Sequence, residues 1–132
     1  MTKITRIRPV HVDLPPVHPT VPSRRKGWPH TTPRALPLNK YPEFSRLPGE
    51  IPGLGGSEVW VQVTVADGTW GLGRCSFGDP VASVIETVFA PLLEDRDVLA
   101  TEFLNDLMWR SMQRLGAAGH AAVAQSGVDL AL

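Results

Sequence analysis

The sequence predicts an α+β fold, a three-stranded antiparallel sheet followed by a three-helix bundle. Three observations carry this. Up to about Cys75 the clearest apolar pattern has a period of two, the period of strands. From Asp79 onward the pattern changes to helical spacing. Between the first strand and the rest of the sheet lies a long proline-rich segment with no period. An order of strands first and helices after places the helices on one face of the sheet.

Residues Thr2 to Leu14 read as the first strand, with Ile4, Val10, Val12 and Leu14 on one side of an imperfect alternation. Pro9 has no N–H to give to a ladder, so the strand is expected at an edge or with a bulge. Pro15-Pro16 ends it. Residues 15–57 hold ten of the 13 prolines, and proline removes backbone donors from helix and sheet alike. A stretch this long without periodicity reads as a functional loop. Trp28 and Tyr41-Pro42-Glu43-Phe44 give it aromatic anchors, so it is expected to be ordered and packed. From Glu58 to Val65 the alternation is clean: Val59, Val61, Val63 and Val65 make one face, Trp60, Gln62 and Thr64 the other. Ala66-Asp67-Gly68-Thr69 follows, with Asp-Gly expected at the two central positions of a tight hairpin. The return strand runs to about Cys75.

The first helix is expected to start with Asp79 as N-cap and Pro80 at the first helical position. Its stripe is Val81, Val84, Ile85, Val88, Phe89 and Leu92. Glu94-Asp95-Arg96-Asp97 reads as a solvated turn. A second helix starts near Thr101, with Phe103, Leu104, Leu107, Met108, Met112 and Leu115 on one face and Gly116 at its end. A third starts around Ala118. It is rich in alanine, which allows close approach, so it is expected to be central.

The 132 residues suit one domain. Thirteen basic and 13 acidic residues balance to zero, which disfavours nucleic-acid binding through a phosphate footprint. No run is long enough to cross a membrane. No signal peptide opens the chain, and the single Cys75 cannot form an internal disulfide, so a cytoplasmic location is expected. The charge is uneven, however. Between Pro15 and Gly49 six basic residues face one acid, Glu43, a net +5.

Most chemical motifs weigh toward structural readings. Gly53-Leu54-Gly55-Gly56 precedes a strand, not the helix that a phosphate cradle needs. Gly71-Leu72-Gly73 fits a bend or a close approach. Cys75 with His11, His18, His30 or His120 lacks a nucleophile signature, and the histidines show no metal-ligand spacing. Asp129 lies between apolar neighbours in the last helix and reads as a buried carboxylate in need of a partner. The loop residues Arg24, Arg25, Trp28, His30, Arg34 and Arg46 suit a lid over an anionic substrate, since arginine grips carboxylates with two prongs; a plain surface loop is the alternative.

Taken in order, the pieces resemble the N-terminal capping domain of the enolase superfamily, in its mandelate racemase/muconate lactonizing enzyme branch. The resemblance rests on Ile4-Thr5-Arg6-Ile7, on Ala66-Asp67-Gly68-Thr69-Trp70-Gly71-Leu72-Gly73, on Pro91-Leu92-Leu93 and on Gly127-Val128-Asp129-Leu130-Ala131-Leu132. A narrower likeness is to rhamnonate dehydratase-like acid-sugar dehydratases, through Pro37-Leu38-Asn39-Lys40-Tyr41-Pro42-Glu43-Phe44. The glutamate usual after the third strand's glycine is Arg74 here.

The resemblance implies that residues 1–132 are a capping domain, with 15–57 as its specificity loop. A catalytic (β/α) barrel is expected after Leu132. That barrel, not these residues, would bind Mg²⁺, remove the proton α to a carboxylate and eliminate water. This chain would carry no catalytic residue and would be inactive alone. Its substrate-binding residues would be Arg46, His30 and Trp28. The implied partners are an acid-sugar substrate, the chain's own barrel and further copies of itself in a homo-oligomer. A racemase or cycloisomerase of the same superfamily, and a free-standing non-catalytic module, remain as alternatives.

Overall fold

The computed structural model describes residues 1–13, 37–43, 58–114, 116 and 118–132. The chain divides into two units, Met1–Val12 with Gly56–Leu132, and Asp13–Gly55.

In the larger unit, β1 (Ile4–Val10), β2 (Val59–Val65) and β3 (Trp70–Cys75) form an antiparallel sheet in the order β1-β2-β3. Central β2 keeps its expected alternation. Its four valines are buried, while Trp60, Gln62 and Thr64 are half-buried on the opposite face. β1 is shorter than expected and does carry an irregularity, but at Thr5 and not at Pro9. Ile4 pairs with Val65 and Arg6 with Thr64, so Thr5 is an extra residue. This bulge puts both Ile4 and Ile7 in the core, which a strict period of two forbids.

The hairpin also differs from the expected two-residue turn. Gly68 N–H donates to the Val65 carbonyl, and Val65 N–H to the Thr69 carbonyl. The central turn residues are therefore Ala66 and Asp67, and Gly68 follows at φ 86 as the left-handed residue of a three-residue loop. Thr69 N–H donates to Asp67 Oδ1 at 2.8 Å, which holds that carboxyl below its usual range.

Helices follow as three rods. The first is α1 (Gly78–Val84), a π-helical turn over Ile85–Phe89, and α2 (Ala90–Leu93). Its most buried line is Val81, Ile85, Phe89 and Leu93, each four residues from the last. In an α-helix such a line drifts by about 40° per step. The wider π turn takes back part of that drift, so one line stays on the sheet. The N-cap is Phe77, at φ 70, and not Asp79. Proline is tolerated at Pro80 because first-turn N–H groups have no helical partner. Asp79 remains in the first turn, where a negative charge is favourable.

The second rod is α3 (Thr101–Ser111), which buries Leu104 and Met108; Met112 at its C-cap is buried as well. It ends before Gly116. Phe103 is not on the core face. It is 53% exposed, with the Arg96 guanidinium 5.6 Å over its ring. Leu115 lies outside the described residues. The third rod is α4 (His120–Ala131), and it is central as expected. Ala121, Ala124, Gly127, Val128 and Ala131 line its buried face. A Cβ on Gly71 would collide with the Ala131 carbonyl oxygen, and one on Gly73 with that of Gly127. The two bare β3 positions let helix backbone lie on sheet backbone.

Residues 94–97 do turn between helices, with Asp95 exposed, but 94–98 are more than a solvated turn. They close the outer edge of β1. Ile4 N–H donates to the Arg96 carbonyl, Asp95 N–H to Ile4, and Val98 N–H to Thr2, each at 2.9 Å. Ile7 N–H donates to Glu94 Oε1 and Thr2 N–H to Asp97 Oδ1.

In the smaller unit, Pro37–Lys40 forms a 3₁₀ turn, and Lys40, Tyr41, Pro42 and Glu43 are exposed. Tyr41, expected as an anchor, is 51% exposed.

Candidate functional site

Trp28, His30 and Arg46 lie outside the described residues, as do Phe44 and the glycines at 53–56. Within the larger unit, the polar chemistry collects between α3 and α4. Asn105 projects from α3 among the buried Leu104 and Met108 and half-buried Leu107. Its side-chain amide donates to Asp129 Oδ1 at 2.9 Å, and its oxygen accepts from Gln125 Nε2 at 2.9 Å. Gln125 also donates to the Asn105 backbone carbonyl. This amide-to-carboxylate chain ties the two helices together. Asp129 is thus an exposed residue with a partner inside the chain, not a buried carboxylate lacking one. The helical turn explains the difference: Val128 and Ala131 face the sheet, while Asp129 points about 100° away from Val128.

A groove of about 490 Å³ opens beside this chain, lined by Thr101, Glu102, Asn105, Asp106, Trp109 and Asp129. Asp106 is occupied by Arg110, whose Nε donates to it at 2.7 Å. That bond holds the exposed guanidinium above its usual pKa range. Sequence reading missed Asn105 and Gln125. Their signal was available: each is an amide directly after an apolar position of its helix, Leu104 and Ala124, both buried.

A second hollow, about 180 Å³, lies at the end of the sheet between Val63, Val65, Trp70, Val98 and Leu132. Its lining offers no acid, base or thiol. Cys75 is 2% exposed, and burial pushes its thiol up to about 11. Its Sγ donates to the Val123 carbonyl at 3.7 Å. His120, one of the candidate partners, instead meets the Phe77 ring edge-on at 5.6 Å. Neither group is set up as a nucleophile or its base.

Among the described residues no three His, Cys, Asp or Glu side chains stand together as a metal site. These residues do not fit a magnesium site, and no step involving the metal is assigned to them. No helix among the described residues is long and apolar enough to cross a membrane.

No family model matches the chain. It is 37% identical over 100 residues to the L-rhamnonate dehydratase of Saccharopolyspora erythraea, an overlap covering 74% of this chain and 25% of that protein. The chain thus spans about a quarter of the length of that relative. Among solved structures it resembles L-rhamnonate dehydratase from Gibberella zeae, with a TM-score of 0.71 and 23% identity over 96% of this chain and 29% of the other. A mandelate racemase/muconate lactonizing protein from Paracoccus denitrificans, complexed with magnesium, gives a TM-score of 0.64 and 23% identity over 99% and 26%. The resemblance to the enolase superfamily drawn from the sequence therefore holds. These solved structures share the fold, and the three-strand, three-rod arrangement is the α+β arrangement that the resemblance implied.

Proposed function

We propose that this chain is the substrate-capping part of a magnesium-dependent acid-sugar dehydratase. The observation that carries the reading is the 37% identity to an L-rhamnonate dehydratase over most of the chain, supported by a shared fold. In this reading a barrel supplied by the further length of the relatives holds the metal. There the proton α to a carboxylate is removed and the β-hydroxyl leaves as water. The chain contributes selection and exclusion of water. Arg46, with Trp28 and His30, would engage the substrate from the loop at 15–57; the +5 charge of residues 15–49 suits an aldonate.

The test uses the full-length protein with Mg²⁺ and a library of aldonates, read by formation of the 2-keto-3-deoxy acid. Dehydration of at least one aldonate is expected, and Arg46→Ala is expected to raise its KM about tenfold or more through a lost charged contact. Epimerisation without loss of water would favour a racemase instead. Unchanged kinetics in Arg46→Ala would remove that residue from the site. Robust turnover by residues 1–132 alone would refute the capping role.

A further inference from the structure

The two edges of the sheet are treated differently. The outer edge of β1 is closed by five hydrogen bonds involving residues 94–98. β3 has β2 on one side and, among the described residues, no backbone partner on the other. An open edge is a template for another strand. On the face turned away from the helices this edge carries Trp70, Leu72 and Arg74, and Trp70 is 58% exposed.

We propose that β3 pairs antiparallel with β3 of a second copy, about a two-fold axis through Leu72. Facing residues in an antiparallel pair lie on the same side of the sheet, so the axis must pass through a residue position. An axis at Gly73 sets Arg74 against Leu72 and leaves Trp70 without a strand partner. An axis at Leu72 sets Trp70 against Arg74 of the second copy, twice over, with the two Leu72 side chains meeting at the centre. An axis at Gly71 sets Trp70 against Leu72 and leaves Arg74 without a strand partner, so only the axis at Leu72 gives both Trp70 and Arg74 a partner. Within its own sheet Arg74 lies opposite Trp60, and its guanidinium donates to the Glu58 carboxylate while staying largely exposed. The pairing therefore sets the indole of the second copy's Trp70 beside the exposed side of this guanidinium, an attractive cation–aromatic arrangement that leaves the bond to Glu58 in place. The partner surface is the same patch on both copies, as a closed two-fold dimer requires. The product is a six-stranded sheet. A single strand edge buries little area, so the association is weak and depends on concentration. The inference is independent of the catalytic reading.

The experiment combines cross-linking with charge placement in the full protein. In Leu72→Cys the two new thiols face each other, at a Cα separation of about 4.5–5.5 Å that suits a disulfide. Cys75, buried and protonated, does not compete. Mild oxidation is expected to convert this variant to a covalent dimer. Sedimentation is expected to show Trp70→Lys, which sets two cations face to face, dissociating about tenfold more readily. Trp70→Glu, which faces Arg74 with an anion, is expected to retain the dimer. Two results would overturn the proposal: no cross-link in a Leu72→Cys protein with an unchanged circular dichroism spectrum, or equal association of Trp70→Lys and Trp70→Glu.

Discussion

Single residues decide how closely α4 meets the sheet. Gly73 faces helix backbone, which has no rotamer to move aside. Gly73→Ala is expected to cost about 3 kcal/mol, the upper range for overpacking, read as a lower urea midpoint. Gly68→Ala has open space around it and only the positive φ to bear, so its cost is expected near 1 kcal/mol. Equal losses at the two sites would contradict the close approach. Cys75 sets a pH dependence. Its thiol shifts upward, from 9.0 to about 11, because burial disfavours the thiolate. Below pH 9 both folded and unfolded states hold the proton, and nothing changes. Between about pH 9 and 11 the unfolded chain loses it first, so stability falls as pH rises. Replacing Cys75 with Ala is expected to flatten that part of a stability–pH profile. Asp129 shows what a residue-by-residue reading gets wrong. Its neighbours in sequence are apolar, but its neighbours in space are Asn105 and solvent.

At the scale of elements, what was legible is what local period controls. The valines of β2 and the crowding of small residues on α4 follow from side-chain spacing alone, as do Val81, Ile85 and Phe89 of the first rod; Leu93, which extends that line past the π turn, does not. The bulge at Thr5 and the closure of β1 by residues 94–98 were not legible, because their partners are some 60 to 90 positions away. The role of Glu94 is an example. It resembles a surface acid in sequence, yet its side chain accepts from Ile7 N–H and extends the closure of the β1 edge beyond Ile4. Glu94→Ala is expected to destabilise by about 1–2 kcal/mol in chemical denaturation, and Glu94→Gln, which keeps an acceptor, by less than half of that. A matching loss in both would mean that the bond contributes nothing. The π turn is likewise invisible to a search for one helical period, since it serves to break that period.

For the whole molecule, the fold and its likeness to known proteins were the legible part. The order of elements carries them, and the short Gly71-Leu72-Gly73 and Gly127-to-Leu132 segments mark where the last helix meets the sheet. The substrate site was legible only as charge and aromatic content in residues 15–57, because binding geometry there has no periodic signature and Trp28, His30 and Arg46 lie outside the described residues. If β3 joins two copies, folding and association are linked, and the thermal midpoint is expected to rise with protein concentration. A midpoint constant over a hundredfold range would argue for a monomer.

The closure of β1 also bears on how the chain is made. The first strand leaves the ribosome early, but the groups that seal its outer edge lie at 94–98, and the rod that covers β3 ends at Ala131. At about 5–20 residues per second, β1 waits several seconds for its edge to be sealed and longer for the core to close. The proline-rich segment that separates β1 from β2 lengthens that wait. Nascent chains stalled with residue 75 just clear of the ribosome should thus present a bare, apolar three-stranded sheet to chaperones.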